Sequence, residues 1–338
     1  MKKTKTTTSD TTVPEKTSKR TRKPSAKKAP PKMGKVSVIG VASGVGALNP
    51  ECQDGPDVLR SFGFMQDLGN AGDDFHWETT IHLNQQEGSP ADAVAAVARE
   101  LSHQVTSCMQ RDQFPLVIGG DHSCAIGTWT GVRDAVAKVV PKDNEGETRL
   151  GLIWFDAHMD AHTPKTSITH AVDGMPLACL LGFGDGKLTA LNDPEHAATR
   201  APVLNPEDVC LIGVRSFEWA EASLLKQLGV RVYFMDEIER RGLAAVVREA
   251  LMRVRQETVG YGVSIDLDVL DPGEESGVGT PVPGGIALHD MLEALAWVRA
   301  TGGLLALEIT EYNPYLDHHF DTATAVADLA RSIVGAEP

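Results

Sequence analysis

The chain has 338 residues, 42% of them hydrophobic, enough for one large α/β domain around a buried core. Its five cysteines (Cys52, Cys108, Cys124, Cys179, Cys210) are scattered and form no CxxC pair, which argues against a disulfide framework or a zinc ribbon. Residues 1–32 carry eleven Lys/Arg against Asp10 and Glu15, a net of +9 in a chain of net −14, so the remainder holds about −23; such a body lacks the clustered cations that nucleic acid needs.

Residues 1–33 are rich in Lys, Thr, Ser and Pro and nearly free of large apolar side chains, so a disordered tail is expected ahead of a single domain over 34–338. No apolar segment follows the basic residues and no run of 18 apolar residues occurs, so a cytoplasmic protein with no membrane partner is expected. From Lys35 onward, short β-branched and apolar runs alternate with helical patterns. The predicted strands are Lys35–Val41, Pro115–Gly119, Gly151–Phe155, Asp208–Gly213, Val230–Phe234, Tyr261–Asp266 and Leu304–Ile309. Helical spacing covers Pro90–Cys108, Glu218–Leu228, Leu243–Gln256 and His289–Arg299. The segment Val41-Ala-Ser43-Gly44-Val-Gly46 lacks the third glycine of a dinucleotide fingerprint, Asn49 standing there before Pro50.

Polar clusters follow the C-terminal ends of four predicted strands: Asp121 and His122, Asp156, Asp266, and Glu311. Ligand sites of open α/β sheets form at that edge. The run Asp156-Ala-His158-Met-Asp160 sets three ligating side chains at alternate positions, and Ser264-Ile-Asp266-Leu-Asp268 repeats this with two carboxylates. Alone, either run could be a turn or a capping cluster. Together at one sheet edge, these groups would repel and lose solvation unless divalent cations held them. Four aspartates and two histidines without a thiolate form a mainly oxygen donor set that suits Mn²⁺. Two such ions, about 3.5–4 Å apart, make water a nucleophile near neutral pH.

These segments resemble the ureohydrolase family (arginases and agmatinases): Gly119-Gly120-Asp121-His122-Ser123, Asp156-Ala157-His158-Met159-Asp160 and Ser264-Ile-Asp266-Leu-Asp268-Val-Leu-Asp271-Pro272. Further similar pieces are Gly55-Pro56-Asp57-Val58-Leu59-Arg60, Gly279-Thr280-Pro281-Val282-Pro283-Gly284-Gly285 and Glu311-Tyr312-Asn313-Pro314. The resemblance implies a three-layer α/β/α fold with a mostly parallel sheet of about eight strands and a homotrimer or homohexamer. It implies two Mn²⁺ ions, with Ni²⁺ or Co²⁺ as alternatives: one held by His122, Asp156, Asp160 and Asp266, the other by Asp156, His158, Asp266 and Asp268. The implied reaction is hydrolysis of a guanidino compound, foremost L-arginine to L-ornithine and urea, with agmatine, guanidinobutyrate or guanidine as other substrates. Glu311 would pair with the guanidinium, Asp160 would carry the proton to the departing amine, Thr280 would line the pocket, and Glu218 and Glu221 would meet an α-amino group.

The segment from His162 departs from that pattern. Thr169-His170 stands where arginases carry Ser-Gly, and Asp173 where they carry a histidine, the presumed proton shuttle. Imidazole suits a shuttle because its unperturbed pKa lies near 6.5, whereas an ordinary aspartate, near 3.9, is ionised. Three readings stay open: His170 or His162 takes over the shuttle, Asp173 binds a more cationic guanidino substrate, or turnover of arginine is weak.

Overall fold

The computed structural model describes residues 1, 35–65, 75–83, 88–139, 148–192 and 201–334. The basic tail expected over 1–33 lies, Met1 apart, outside them. Among the described residues the strands are β1 (Val36–Ala42), β2 (Phe75–His82), β3 (Phe114–Gly119), β4 (Gly151–Phe155), β5 (Val209–Val214), β6 (Arg231–Phe234), β7 (Tyr261–Asp266) and β8 (Leu304–Thr310). They form one sheet in the order β2-β1-β3-β8-β7-β4-β5-β6, and every pairing is parallel. The eight-stranded parallel sheet agrees with the expected α/β class.

Alternation along the strands sends side chains into two apolar cores, one on each face of the sheet. Leu116, Ile118, Ile153 and Phe155 face one, which contains Val246, Val247, Leu295 and Leu329. Val117, Leu152 and Trp154 face the other, which contains Val97, Leu101, Trp129 and Val132. The helices are α1 (Gly55–Ser61), α2 (Pro90–Gln110), α3 (Ala125–Val139), α4 (Pro176–Leu180), α5 (Gly186–Thr189), α6 (Trp219–Leu228), α7 (Met235–Arg241), α8 (Leu243–Val254), α9 (Leu288–Thr301) and α10 (Asp321–Val334). A sheet buried on both faces explains why its strands read as continuous apolar runs.

The sequence reading omitted β2, α1, α3, α5, α7 and α10, and the short α4. The strand β2 is a half-buried edge, and Phe-His-Trp-Glu-Thr-Thr-Ile-His shows no clean alternation. In α3 two glycines interrupt the helical pattern, and they are there because α2 crosses closely. A Cβ on Gly127 would stand 2.6 Å from the Ala98 carbonyl oxygen, and one on Gly131 2.7 Å from that of Ser102. Contact with α2 thus outweighs the low helix propensity of glycine.

Candidate metal centre

The four central strands β3, β8, β7 and β4 are neighbours in the sheet, and the chain leaving each one enters the same crevice. His122 begins a short 3-10 turn after β3, capped by Asp121, whose carboxylate accepts from Ser123 N–H and, at 2.8 Å, from Gly46 N–H. Asp156, His158 and Asp160 follow β4, Asp266 ends β7 with Asp268 two residues on, and Glu311 follows β8. Asp160 and Glu311 both take left-handed backbone conformations, φ +49° and +69°, which cost energy for residues with a Cβ. Main-chain bonds hold them there: the Asp160 carbonyl accepts from Leu177 N–H at 3.0 Å, and Glu311 N–H donates to the Gly120 carbonyl at 2.8 Å.

Two groups of ligating atoms result: His122, Asp156, Asp160 and Asp266, and beside them Asp156, His158 and Asp268. Asp156 belongs to both. His122 Nδ1 lies 3.4 Å from Asp156 Oδ2, 3.0 Å from Asp160 Oδ2 and 3.2 Å from Asp266 Oδ2. His158 Nδ1 lies 2.9 Å from Asp268 Oδ2. The same carboxylates are also held by the protein: Asp156 accepts from Trp154 Nε1–H and His158 N–H, Asp266 from Asp268 N–H, and Asp268 from Ala157 N–H and the Thr280 hydroxyl.

Within the two groups, carboxylates crowd against one another and against two imidazoles. Burial, then the charge of Asp156, drives the Asp160 carboxyl well above the usual carboxylate range, and burial with Asp268 and Asp156 does the same to Asp266. Burial works against charge on His122 and His158, yet the surrounding carboxylates push both imidazoles up, His158 to about 12. Asp156, although buried, is held low by the two imidazoles. His122 Nδ1 and Asp160 Oδ2, both buried, have no hydrogen-bond partner among the described residues. Orphaned donor atoms facing one another at 3.0 Å, in a hard oxygen and imidazole set, fit divalent cations.

The centre forms the floor of a cavity of about 480 Å³ whose wall includes His162, Thr169, Asp173, Glu218, Glu221, Thr280 and Glu311. His162 Nε2 lies 3.0 Å from Glu218 and 3.3 Å from Glu221. Glu221 is buried, accepts from Ala161 N–H, and is pushed up to about 7 by burial and by Glu218. Glu311 accepts from His122 N–H at 2.7 Å, and burial with the charges of Asp266, Asp173 and Asp121 raises it far above its ordinary value. Asp173 is half-buried, and burial followed by the Asp121 charge brings it to about 7. His170, at φ +60°, is exposed and does not line this cavity, whereas His162 does.

Some participants carried no role in the sequence reading. His122 stacks on Trp154 at 4.2 Å between ring centroids, and its Nε2 lies 3.0 Å from Ser264 Oγ, which donates to Glu308 at 2.7 Å. The signal for Glu308 was a carboxylate inside an otherwise apolar central strand, where an unpaired charge is not tolerated.

The sequence profile of the arginase family matches residues 34–335. The arginase of Bacillus caldovelox is 36% identical over 313 residues, covering 90% of this chain and 99% of the relative. That of Bacillus subtilis (strain 168) is 35% identical over 306 residues, covering 89% and 97%. A crystal structure of arginase from Bacillus subtilis superimposes with a TM-score of 0.78 at 34% identity, covering 90% of this chain and 99% of that one.

Proposed function

The chain belongs to the arginase family of ureohydrolases, and from that premise we propose that it hydrolyses L-arginine to L-ornithine and urea with two Mn²⁺ ions. The observation that carries the metal reading is the pair of orphaned atoms, His122 Nδ1 and Asp160 Oδ2, at the heart of four converging strand ends. His122, Asp156, Asp160 and Asp266 would hold one ion, and Asp156, His158, Asp268 and Asp266 the other. Divalent cations there supply water deprotonated near neutral pH and polarise the group it attacks.

The protein's own groups do the rest. Glu311 binds the guanidinium, since a planar guanidinium matches a carboxylate in two parallel hydrogen bonds, and its anchor on His122 N–H sets where the guanidinium carbon lies. Asp160 receives the proton from the attacking water and delivers it to the departing amine, a transfer its place between the proposed cation site and the cavity allows. Glu218, Glu221 and His162 at the cavity wall receive the substrate's amino-acid end, and Thr280 steadies Asp268. Asp173 adds negative charge beside Glu311, which favours a cationic substrate. We also read the chain as one domain over 34–338 that works in the cytoplasm as a homotrimer or homohexamer; among the described residues no helix is long and apolar enough to cross a membrane.

The test is urea release by the Mn²⁺-loaded protein from arginine, agmatine, guanidinobutyrate and guanidine. Turnover of arginine above the other three is expected. Urea from another of the four would reassign the substrate, and none from any, with two ions bound, would reject the activity.

A further inference from the structure

Glu308 is fully buried in β8, and among the described residues no hydrogen bond or ion pair joins it to a proposed ligand. Its carboxylate collects donors: Ser264 Oγ at 2.7 Å and Cys124 Sγ at 3.6 Å. A carboxylate only accepts, so the single hydroxyl proton of Ser264 is committed to Glu308. The Ser264 oxygen, 3.0 Å from His122 Nε2, is left to accept, and the proton between them belongs to the imidazole. A neutral His122 with its proton on Nε2 presents a bare lone pair at Nδ1, the atom that faces Asp156, Asp160 and Asp266 at 3.0–3.4 Å. The ring cannot swing away, because it is stacked on Trp154, whose Nε1–H is itself bonded to Asp156.

We infer that Glu308 is a positioning residue for the metal centre: acting through Ser264, it selects the His122 tautomer that offers Nδ1 to a cation. The inference rests on the metal reading proposed above. It adds that an acceptor at 308, and not merely a side chain of that shape, is needed. A neutral glutamine at 308 preserves the shape yet can present N–H to Ser264; the hydroxyl proton then turns toward His122 Nε2, and the ring proton moves to Nδ1, where it blocks the cation. Outer partners of metal-bound histidine commonly change affinity by about 10- to 100-fold.

The experiment titrates Mn²⁺ calorimetrically into metal-free wild type, Glu308→Gln, Ser264→Ala, the double variant and Ser264→Thr, with thermal melting of each metal-free form beside it. Wild type is expected to take up two ions. Glu308→Gln should weaken one of them by about 10- to 100-fold and leave the second within about 3-fold. Ser264→Ala should match it, the double variant should be no weaker than either single, and Ser264→Thr, which keeps the hydroxyl, should recover most of the affinity. Folded Glu308→Gln that binds both ions as wild type does, or single-variant losses that multiply in the double, overturns the relay. If Glu308→Gln fails to fold, Ser264→Ala against Ser264→Thr decides the same question. Wild type that takes up no divalent cation rejects the metal reading and the relay with it, a result distinct from wild-type binding by the variants.

Discussion

Arg215 Nη2 donates to the main-chain carbonyl of Asp268 at 2.7 Å, so a fixed guanidinium braces the backbone of a proposed metal ligand from behind. The same guanidinium reaches the carbonyls of Gly213, Val269, Leu270, Val282 and Pro283, joining the chain after β5 to the segment that carries Asp268 and the one just past Thr280. A planar fork with five N–H groups can serve acceptors on several sides at once; an ammonium cannot. Arg215→Lys is therefore expected to lose about 2–4 kcal/mol of stability in urea denaturation. It should also weaken cation uptake at His158 and Asp268. A lysine variant as stable as wild type would show that the brace contributes little.

Removing metal should reverse how stability responds to pH. In the metal-free protein Asp160, Asp266, Glu311, His122 and His158 all have proton affinities above their unfolded values, whereas that of Asp156 is lowered. The folded state thus binds more protons than the unfolded chain, so its stability falls as pH rises from about 5 to 8. Cation binding needs these groups deprotonated, and saturation at 100 times Kd adds about 2.7 kcal/mol. Melting temperatures in chelator should decline across that range while those in Mn²⁺ hold or rise. Parallel slopes would sink the assignment.

How much of this was legible in the sequence follows from where each residue sits. The six proposed ligands and Glu311 were readable because they end or closely follow four short apolar strands, at the edge of the sheet where ligand sites form. Helix α3 was not, since Gly127 and Gly131 make sense only with α2 lying against them. Arg215 gave no signal, because its acceptors are main-chain carbonyls from separate stretches of chain. Asp173 was visible as a departure, but its raised proton affinity depends on Asp121, distant in sequence.

That carboxyl sets a pH-dependent prediction. With its pKa pushed up to about 7 by burial and Asp121, Asp173 is neutral in acid and gains its charge as pH rises. Bound cations nearby favour the charged form and draw the titration below that value. The KM for a cationic guanidino substrate should therefore fall as pH rises toward 7, and Asp173→Asn should flatten the profile. Asp173→His, which places a group titrating near 6.5 at that position, should raise arginine kcat several-fold. An unchanged kcat at every pH would remove the shuttle reading.

The last expectation concerns a carboxylate away from the metals. Glu275 is 5% exposed, its Oε2 has no hydrogen-bond partner among the described residues, and burial, against the help of Thr322 and with the charges of Asp317 and Asp321, pushes it up to about 7. An acid whose folded pKa exceeds its unfolded one keeps its proton more firmly when folded, so it destabilises the protein increasingly as pH rises through the interval from about 4.5 to 7 and fully above it. Glu275→Gln removes that cost while keeping the shape and the bond to Thr322. It should be more stable than wild type by about 1–3 kcal/mol at pH 8, with the advantage gone below about pH 4.5. Chemical denaturation of both proteins at the two pH values is the check, and an advantage that grows toward acid would contradict the burial argument.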